Sequence, residues 1–286
     1  MEYFFSVRSV IDSNTVIMET KDWGDPLDVG VGTNLEFTSS QQPFTVHASG
    51  TVASIVHDSS TSRKVTFTGS INVNVGDWVC VSDTPLLTIR NFTVSHNRAR
   101  GALLETRNID IQYSIFNRTS GPAILIQPSM YWREGPEARN VSLIKNLYIL
   151  NNEGIAQQKG VISILPDPIQ LPPVINDIRI ESSSFHLGMY SQGLLQSDNA
   201  NSVLLSGNYI SINKQTSLIS ICNSRNITAN NNCAVHTETI TDQYYTYDDT
   251  NPCSRSMSSL INLPASAFNS SFPPPVFGME SSHKNY

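Results

Sequence analysis

Two hydrophobic rhythms run along the chain, and one replaces the other near residue 85. Before that point, apolar and polar residues alternate over long stretches: SNTVIMET, NLEFTSS, PFTVHASGTVASIVHD and RKVTFTGSINVNVGDWVCV. Alternation with period two puts successive side chains on opposite faces of a strand. Gly-Asp, Asp-Ser-Ser-Thr-Ser and Ala-Ser-Gly punctuate the stretches as turns. Residues 1–85 are therefore expected to form an antiparallel hairpin module or small β-barrel. Val75–Val79 reads as its closing turn and strand, and Ser82-Asp83-Thr84-Pro85 as the hand-over to a second module.

From Leu86 to Val235 the pattern becomes a string of short near-repeats. One half of each is an aliphatic segment: LLTIRNFTV, NIDIQYSIF, NVSLIKNLY, DIRIESSSF, SVLLSGNYI and NITANNNCA. The other half is shorter: GALLE, GPAILIQ, GVISIL, QGLLQ and SLISI. Aligned on Leu87, Ile109, Val141, Ile178, Val203 and Ile227, the longer halves recur at steps of 22, 32, 37, 25 and 24 residues. A base period of that size built from short strands means a stacked array. Leucine-rich repeats lack their consensus here, and helical repeats would need a period of 3.6 rather than two. Three short strands and three turns per coil give a right-handed parallel β-helix, with coils about 4.8 Å apart. A β-sandwich of short strands is the competing all-β architecture. Asn146, Asn208 and Asn232 share one phase, five residues after the anchor, and are expected to form a ladder at a turn. After Val235 the rhythm stops, so 236–286 is expected to be a cap over the last coil and then a loose tail.

Composition fits a weakly charged β-protein and narrows the partners. Of 286 residues 15% are charged, and the net charge is −6 with no basic run, which argues against nucleic acid. No apolar stretch approaches the length of a membrane span. The opening MEYFFSVRSV lacks the pattern of a signal peptide. Five N-x-S/T sequons stand at Asn91, Asn117, Asn140, Asn226 and Asn269. Cys222, Cys233 and Cys253 crowd together while Cys80 stands apart, a spacing that fits no zinc pattern. Cys222 is expected to pair with Cys233 or Cys253, and Cys80 to be buried and free. These features favour a secreted, monomeric glycoprotein whose signal peptide lies in an upstream region, with no metal and no cofactor.

The two long steps mark insertions, Pro128–Arg139 and Pro166–Asn176. Both come after the same strand of the repeat, so they should rise from one sheet edge on adjacent coils, where solenoids build their sites. They carry Tyr131, Trp132, Glu134 and Asp167, flat apolar faces beside carboxylates, which suits a sugar. Column alignment stacks Glu105, Gln127, Leu165 and Gln196, and two residues on Arg107, Ser129, Asp167 and Asp198. Glu105, Asp167 and Asp198 could then gather on one rim with Glu134 overhanging. Glu105 and Asp167 would lie two coils, roughly 10 Å, apart between backbones, and inverting glycosidases hold their carboxyls about 6.5–9.5 Å apart. Arg98 and Arg100 straddle Ala99 on one outward face, a fork able to bind sugar hydroxyls or a carboxylate.

Taken together, Asn97-Arg98-Ala99-Arg100-Gly101, the Ser120–Ile126 strand, the Tyr131-Trp132…Glu134 loop and Pro166-Asp167 resemble the α-1,3-galactosidases of glycoside hydrolase family 110. The resemblance covers about residues 70–235, with 1–70 similar to that family's inserted barrel. It implies a parallel β-helix that removes a terminal α-linked galactose with inversion, without a metal. In one place the chain departs: where the family typically has Glu-Gly-Asp, this chain has Gln127-Pro128-Ser129. Gln cannot ionise and Ser cannot serve as the carboxylic acid. The resulting expectation is an α-galactosidase-like glycoside hydrolase acting on oligosaccharide or polysaccharide with terminal galactose. In it Glu134 and Asp167 are acid and base, Glu105 and Asp198 are reserves, and Arg98, Arg100, Gln127, Tyr131 and Trp132 hold the sugar. A non-catalytic carbohydrate-binding or structural β-helix is the alternative, and a pectin-type lyase a third reading that Arg98 and Arg100 leave open.

Overall fold

The computed structural model describes residues 5–20, 29–129, 135, 137–154, 160–169, 172–212, 218–236 and 255–256. Every regular element among them is a strand. The alternating N-terminal stretches form β1 (Phe5–Asp12), β2 (Thr15–Glu19), β3 (Asn34–Ser39), β4 (Gln42–His57), β5 (Ser62–Phe67) and β6 (Trp78–Val81). They close into an antiparallel barrel in the order β1-β2-β5-β4-β3-β6. The long β4 serves two neighbours, β3 with its first half and β5 with its second. Their inward residues, among them Val16, Met18, Leu35, Phe37, Val65, Phe67 and Val79, make a separate barrel core.

The repeats after the barrel fold as three parallel sheets, each gathering one strand per coil. The first holds β7 (Leu87–Arg90), β10 (Ile109–Gln112), β13 (Arg139–Ile144), β16 (Ile175–Glu181), β19 (Ala200–Ser206) and β22 (Arg225–Asn230). The second holds β8 (Thr93–Ser95), β11 (Ile115–Asn117), β14 (Leu147–Ile149), β17 (Ser184–Leu187), β20 (Tyr209–Ile212) and β23 (Cys233–His236). The third holds β9 (Ala102–Leu104), β12 (Ile124–Ile126), β15 (Ile162–Ile164), β18 (Leu195–Asp198) and β21 (Ile219–Cys222), with β24 (Arg255–Ser256) antiparallel to β21 at its end. Among the described residues this is a parallel β-helix of five complete coils and two strands of a sixth.

The six anchors align as one column: Leu87, Ile109, Val141, Ile178, Val203 and Ile227. Ile109, Val141, Ile178 and Val203 are sealed inside. Leu87 departs from the expected burial and is 46% exposed, because β7 is the edge of its sheet and a coil covers it on one side only. A second inward column stacks Phe116, Tyr148 and Phe185 nearly face to face, with ring centroids 5.4 and 4.5 Å apart. Each such pair contributes about 0.5–1.5 kcal/mol beyond the area it buries.

The turn between the first and second sheets repeats with the coil. Asn91, Tyr113, Lys145, Ser182, Gly207 and Asn231 occupy equivalent positions, all with positive φ. The expected asparagine ladder is there, but it lies one residue later than the left-handed residue. Asn146 and Asn208 point inward and are buried. Asn146 Oδ1 accepts from the Ser114 N–H at 2.9 Å, and its Nδ2 donates to the Ile111 carbonyl at 2.9 Å. Asn208 does the same for Ser183 N–H and the Ile180 carbonyl, and Asn232 for Asn208 N–H and the Leu205 carbonyl. The ladder satisfies turn groups that would otherwise be buried without partners.

The barrel is not an appendage hung on a linker. Phe44 and Cys80 of the barrel belong to the β-helix core, and Trp78 packs against it. At the same junction Arg107, only 1% exposed, donates to Glu36 of β3 at 2.6 Å and to Glu137 at 2.5 Å. Arg139 approaches the same two carboxylates at 3.9 and 3.5 Å. Burial alone would lower the Arg107 pKa, but the hydrogen bond to Glu36 and the charge of Glu137 outweigh it and raise it. The Glu137 carboxyl is raised by its own burial, and the Arg107 charge opposes the shift.

Candidate functional site

The third sheet carries both insertions. Chain 128–138 leaves β12 and chain 165–174 leaves β15, and these strands are hydrogen-bonded neighbours. The insertions rise from one edge on adjacent coils, as their position in the repeat requires. Their bases are joined: Ser129 bridges to Asp167 as a parallel pair, the Asp167 N–H donates to the Pro128 carbonyl at 3.0 Å, and Ser129 Oγ donates to Asp167 Oδ2 at 3.3 Å. Asp167 is exposed and precedes a cis proline, Pro168. Its carboxylate therefore stands at the surface of the rim, steered by Ser129.

Gly135 returns the first insertion to the first coil. Its φ is +69°, and a Cβ there would overlap the Glu105 carbonyl. Only glycine permits that approach. Ala138 and Glu137 are buried just after it, Glu137 on Arg107. The insertion is thus held at three points, on Asp167, on Glu105 and on the barrel-side ion cluster. Tyr131, Trp132 and Glu134 lie outside the described residues.

The register corrects one of the expected columns. Leu104, Ile126, Ile164, Ser197 and Ile221 are paired in sequence across the third sheet. One residue on, the column is Glu105, Gln127, Leu165, Asp198 and Cys222. Asp198 thus takes the place expected for Gln196, which lies two positions back beside Ser163. The cause is Ser197, a fully buried hydroxyl in an aliphatic slot, which bonds to Ser224. It hides the end of β18 from an alignment made on apolar residues. Glu105 and Asp198 share a column but sit three coils, about 14 Å, apart. The pairing of Ser129 with Asp167 stands as expected, without Asp198 in it.

Arg98 and Arg100 are exposed, in the turn that enters β9. Asn97 organises this turn, its Oδ1 accepting from the Ala99 N–H at 3.3 Å and its Nδ2 donating to the Arg100 carbonyl at 2.8 Å. Glu105 leaves the other end of β9, so about 10 Å of strand separate the arginine pair from the rim that carries the insertions. Gln127 is half-buried on that rim. Sequence reasoning passed over Arg107 and Glu137 as members of the site's support. No local signal marks them, because Arg107 and Glu137 stand 30 positions apart in the chain.

The cysteines fall into two groups. Cys80 is buried and free, as expected, and Cys233 is also free. Cys222 is disulfide-bonded, to a partner outside the described residues, which overturns the Cys222–Cys233 option.

No protein-family profile matches the chain. Among curated proteins it is similar to alpha-1,3-galactosidase B of Akkermansia muciniphila, with 35% identity over 104 residues. That stretch is 35% of this chain and 13% of the bacterial protein, so the chain matches about an eighth of its relative's length.

Proposed function

We propose that the rim formed by Glu105, Gln127, Ser129, Asp167 and the 130–136 loop is a carbohydrate site, and that it hydrolyses a terminal α-linked galactose with inversion. The observation that carries this reading is the joined base of the two insertions. Ser129 meets Asp167 just before the segment that carries Trp132 and Glu134, and Gly135 meets Glu105 just after it, which supports a shared site. The partial likeness to an alpha-1,3-galactosidase supports the sugar and the bond. In an inverting reaction one carboxylic acid protonates the glycosidic oxygen as the bond to the anomeric carbon breaks. The other carboxylate takes a proton from the water that attacks the opposite face. We assign the acid to Glu134 and the base to Asp167, whose Oδ2 is oriented by Ser129. Glu105 lines the same end and remains a reserve. Asp198, three coils from Glu105, is too far to pair with it. Trp132 and Tyr131 would stack on the ring, while Arg98 and Arg100, at the far end of β9, are left out of the sugar site.

The experiment assays Glu134→Gln and Asp167→Asn on aryl α-galactosides. Each should lose at least a hundredfold in turnover, the usual contribution of a positioned acid or base. Full activity in both variants would refute the assignment. Gln127-Pro128-Ser129, which offers no carboxylate, favours a second reading as a non-catalytic galactose-binding β-helix. A wild-type chain that binds galactose and hydrolyses none would establish that reading instead.

A further inference from the structure

On the barrel, away from the rim, a cleft of about 400 Å³ opens between β3, β4 and the segment after β5. Its walls are Asn34, Glu36, Ser49, Thr51, Thr68 and Ser70, with Ile71 at one side. The volume lies within the roughly 300–1,000 Å³ of small-molecule sites, but the lining is polar where such sites are mostly apolar. We propose that this cleft is a second carbohydrate site, taking a neutral monosaccharide ring.

Charge excludes the ionic alternatives. The lining contains no Lys, Arg or His to attract an anion. Its one carboxylate, Glu36, is already neutralised from behind by Arg107 at 2.6 Å, so it offers a cation little. What remains are hydroxyls and an amide, groups that both donate and accept. Thr51 donates to Asn34 Oδ1 at 2.6 Å, which leaves its oxygen lone pairs as acceptors, and Asn34 is fixed in turn by Asp83 at 3.1–3.2 Å. Among the described residues, the hydroxyls of Ser49, Thr68 and Ser70 have no protein partner. Ile71 adds an apolar contact suited to the C–H face of a sugar ring. The concavity is built in: a Cβ at Gly50 would strike Ile71 and Phe67 at 2.8 Å, so glycine there lets the strand and the 68–71 segment close together. All the walls of the cleft belong to residues 34–82, so binding there does not depend on catalysis at the rim.

Gly69 supplies a clean block. A Cβ there meets nothing within 4 Å, so Gly69→Trp can fill the mouth of the cleft without disturbing the barrel. Ser70→Phe, at an exposed position in the same wall, is an independent block. Saturation-transfer NMR with D-glucose, a hexose not assigned to the galactose-binding rim, is measured on the full chain, on both blocked variants and on Asp167→Asn, with glycerol as the small-polyol control. Transfer to a hexose should persist in Asp167→Asn and fall at least about tenfold in each blocked variant that keeps the parent's circular dichroism. Absence of transfer to the parent chain overturns the proposal. So does transfer that survives both blocks, transfer that needs only Asp167, or transfer to glycerol equal to that of glucose.

Discussion

Replacing Asn208 with alanine should destabilise the β-helix by about 4–6 kcal/mol. The side chain is 2% exposed and makes three bonds: it accepts from the Ser183 N–H at 3.0 Å and donates to the Ile180 carbonyl and to Asn232 Oδ1 at 2.8 Å each. Each contributes about 1 kcal/mol net, and the buried Ser183 N–H, left without an acceptor, adds about 1–3 kcal/mol more. That is a large part of the roughly 5–15 kcal/mol by which domains are stable. Asn230→Ala, at an exposed position two residues before Asn232, should stay within about 0.5 kcal/mol of the parent. Asn208→Asp keeps the acceptor for Ser183 but sets a negative charge against two oxygens, so it should be as damaging at neutral pH and recover as the carboxyl is protonated. Urea unfolding monitored by circular dichroism gives the energies. Amide exchange at Ser183 localises them, which matters because stacked repeats need not unfold in one step. A loss below about 1 kcal/mol in Asn208→Ala, or one equal to that of Asn230→Ala, would refute the ladder as a source of stability.

Gly135→Ala should destabilise by about 1–3 kcal/mol or more, since it combines a left-handed backbone with a Cβ that overlaps the Glu105 carbonyl; a neutral outcome in urea unfolding would show that the loop does not rest there. The denatured, unreduced chain should expose two alkylatable thiols, Cys80 and Cys233, and all four only after reduction, as counted by mass spectrometry. Burial holds the His186 pKa below its ordinary 6.5, so the folded state prefers the neutral ring. Its contribution is therefore present above pH 6.5 and lost as pH falls through the lowered value, and His186→Gln should flatten that part of the stability-versus-pH curve.

The fold was legible because its two halves obey different but simple periodicities. Alternation announced the barrel strands, and the anchor spacing predicted a column that the pairing of Leu87 through Ile227 reproduces. Three things were hidden. Ser197 sits where an aliphatic belongs, so apolar matching lost the end of β18 and misplaced Gln196 and Asp198. The left-handed turn position is filled by Asn, Tyr, Lys, Ser and Gly alike, so composition could not single it out, and attention went to the buried asparagine one residue later. The ion cluster of Glu36, Arg107, Glu137 and Arg139 joins residues up to 103 positions apart and leaves no local pattern. Of the site, the shared edge of the insertions was readable because insertion lengths add to a known period. The distance of Arg98 and Arg100 from that edge was not, because strand length between two turns decides it.

The strand that ends the third sheet runs the wrong way. β24 lies antiparallel on β21 in a sheet where every other pair is parallel. A parallel array is a template that copies itself: each coil presents the edge on which the next, in the same direction and register, can be laid. One reversed strand breaks that translation, because a coil arriving in the array's own direction finds neither the hydrogen-bond spacing nor the side-chain columns to continue. On the third sheet β24 therefore acts as a stop codon written in backbone polarity. Among the described strands it covers part of β21, one of the three outer edges at this end of the array through which another chain could extend it into a fibre.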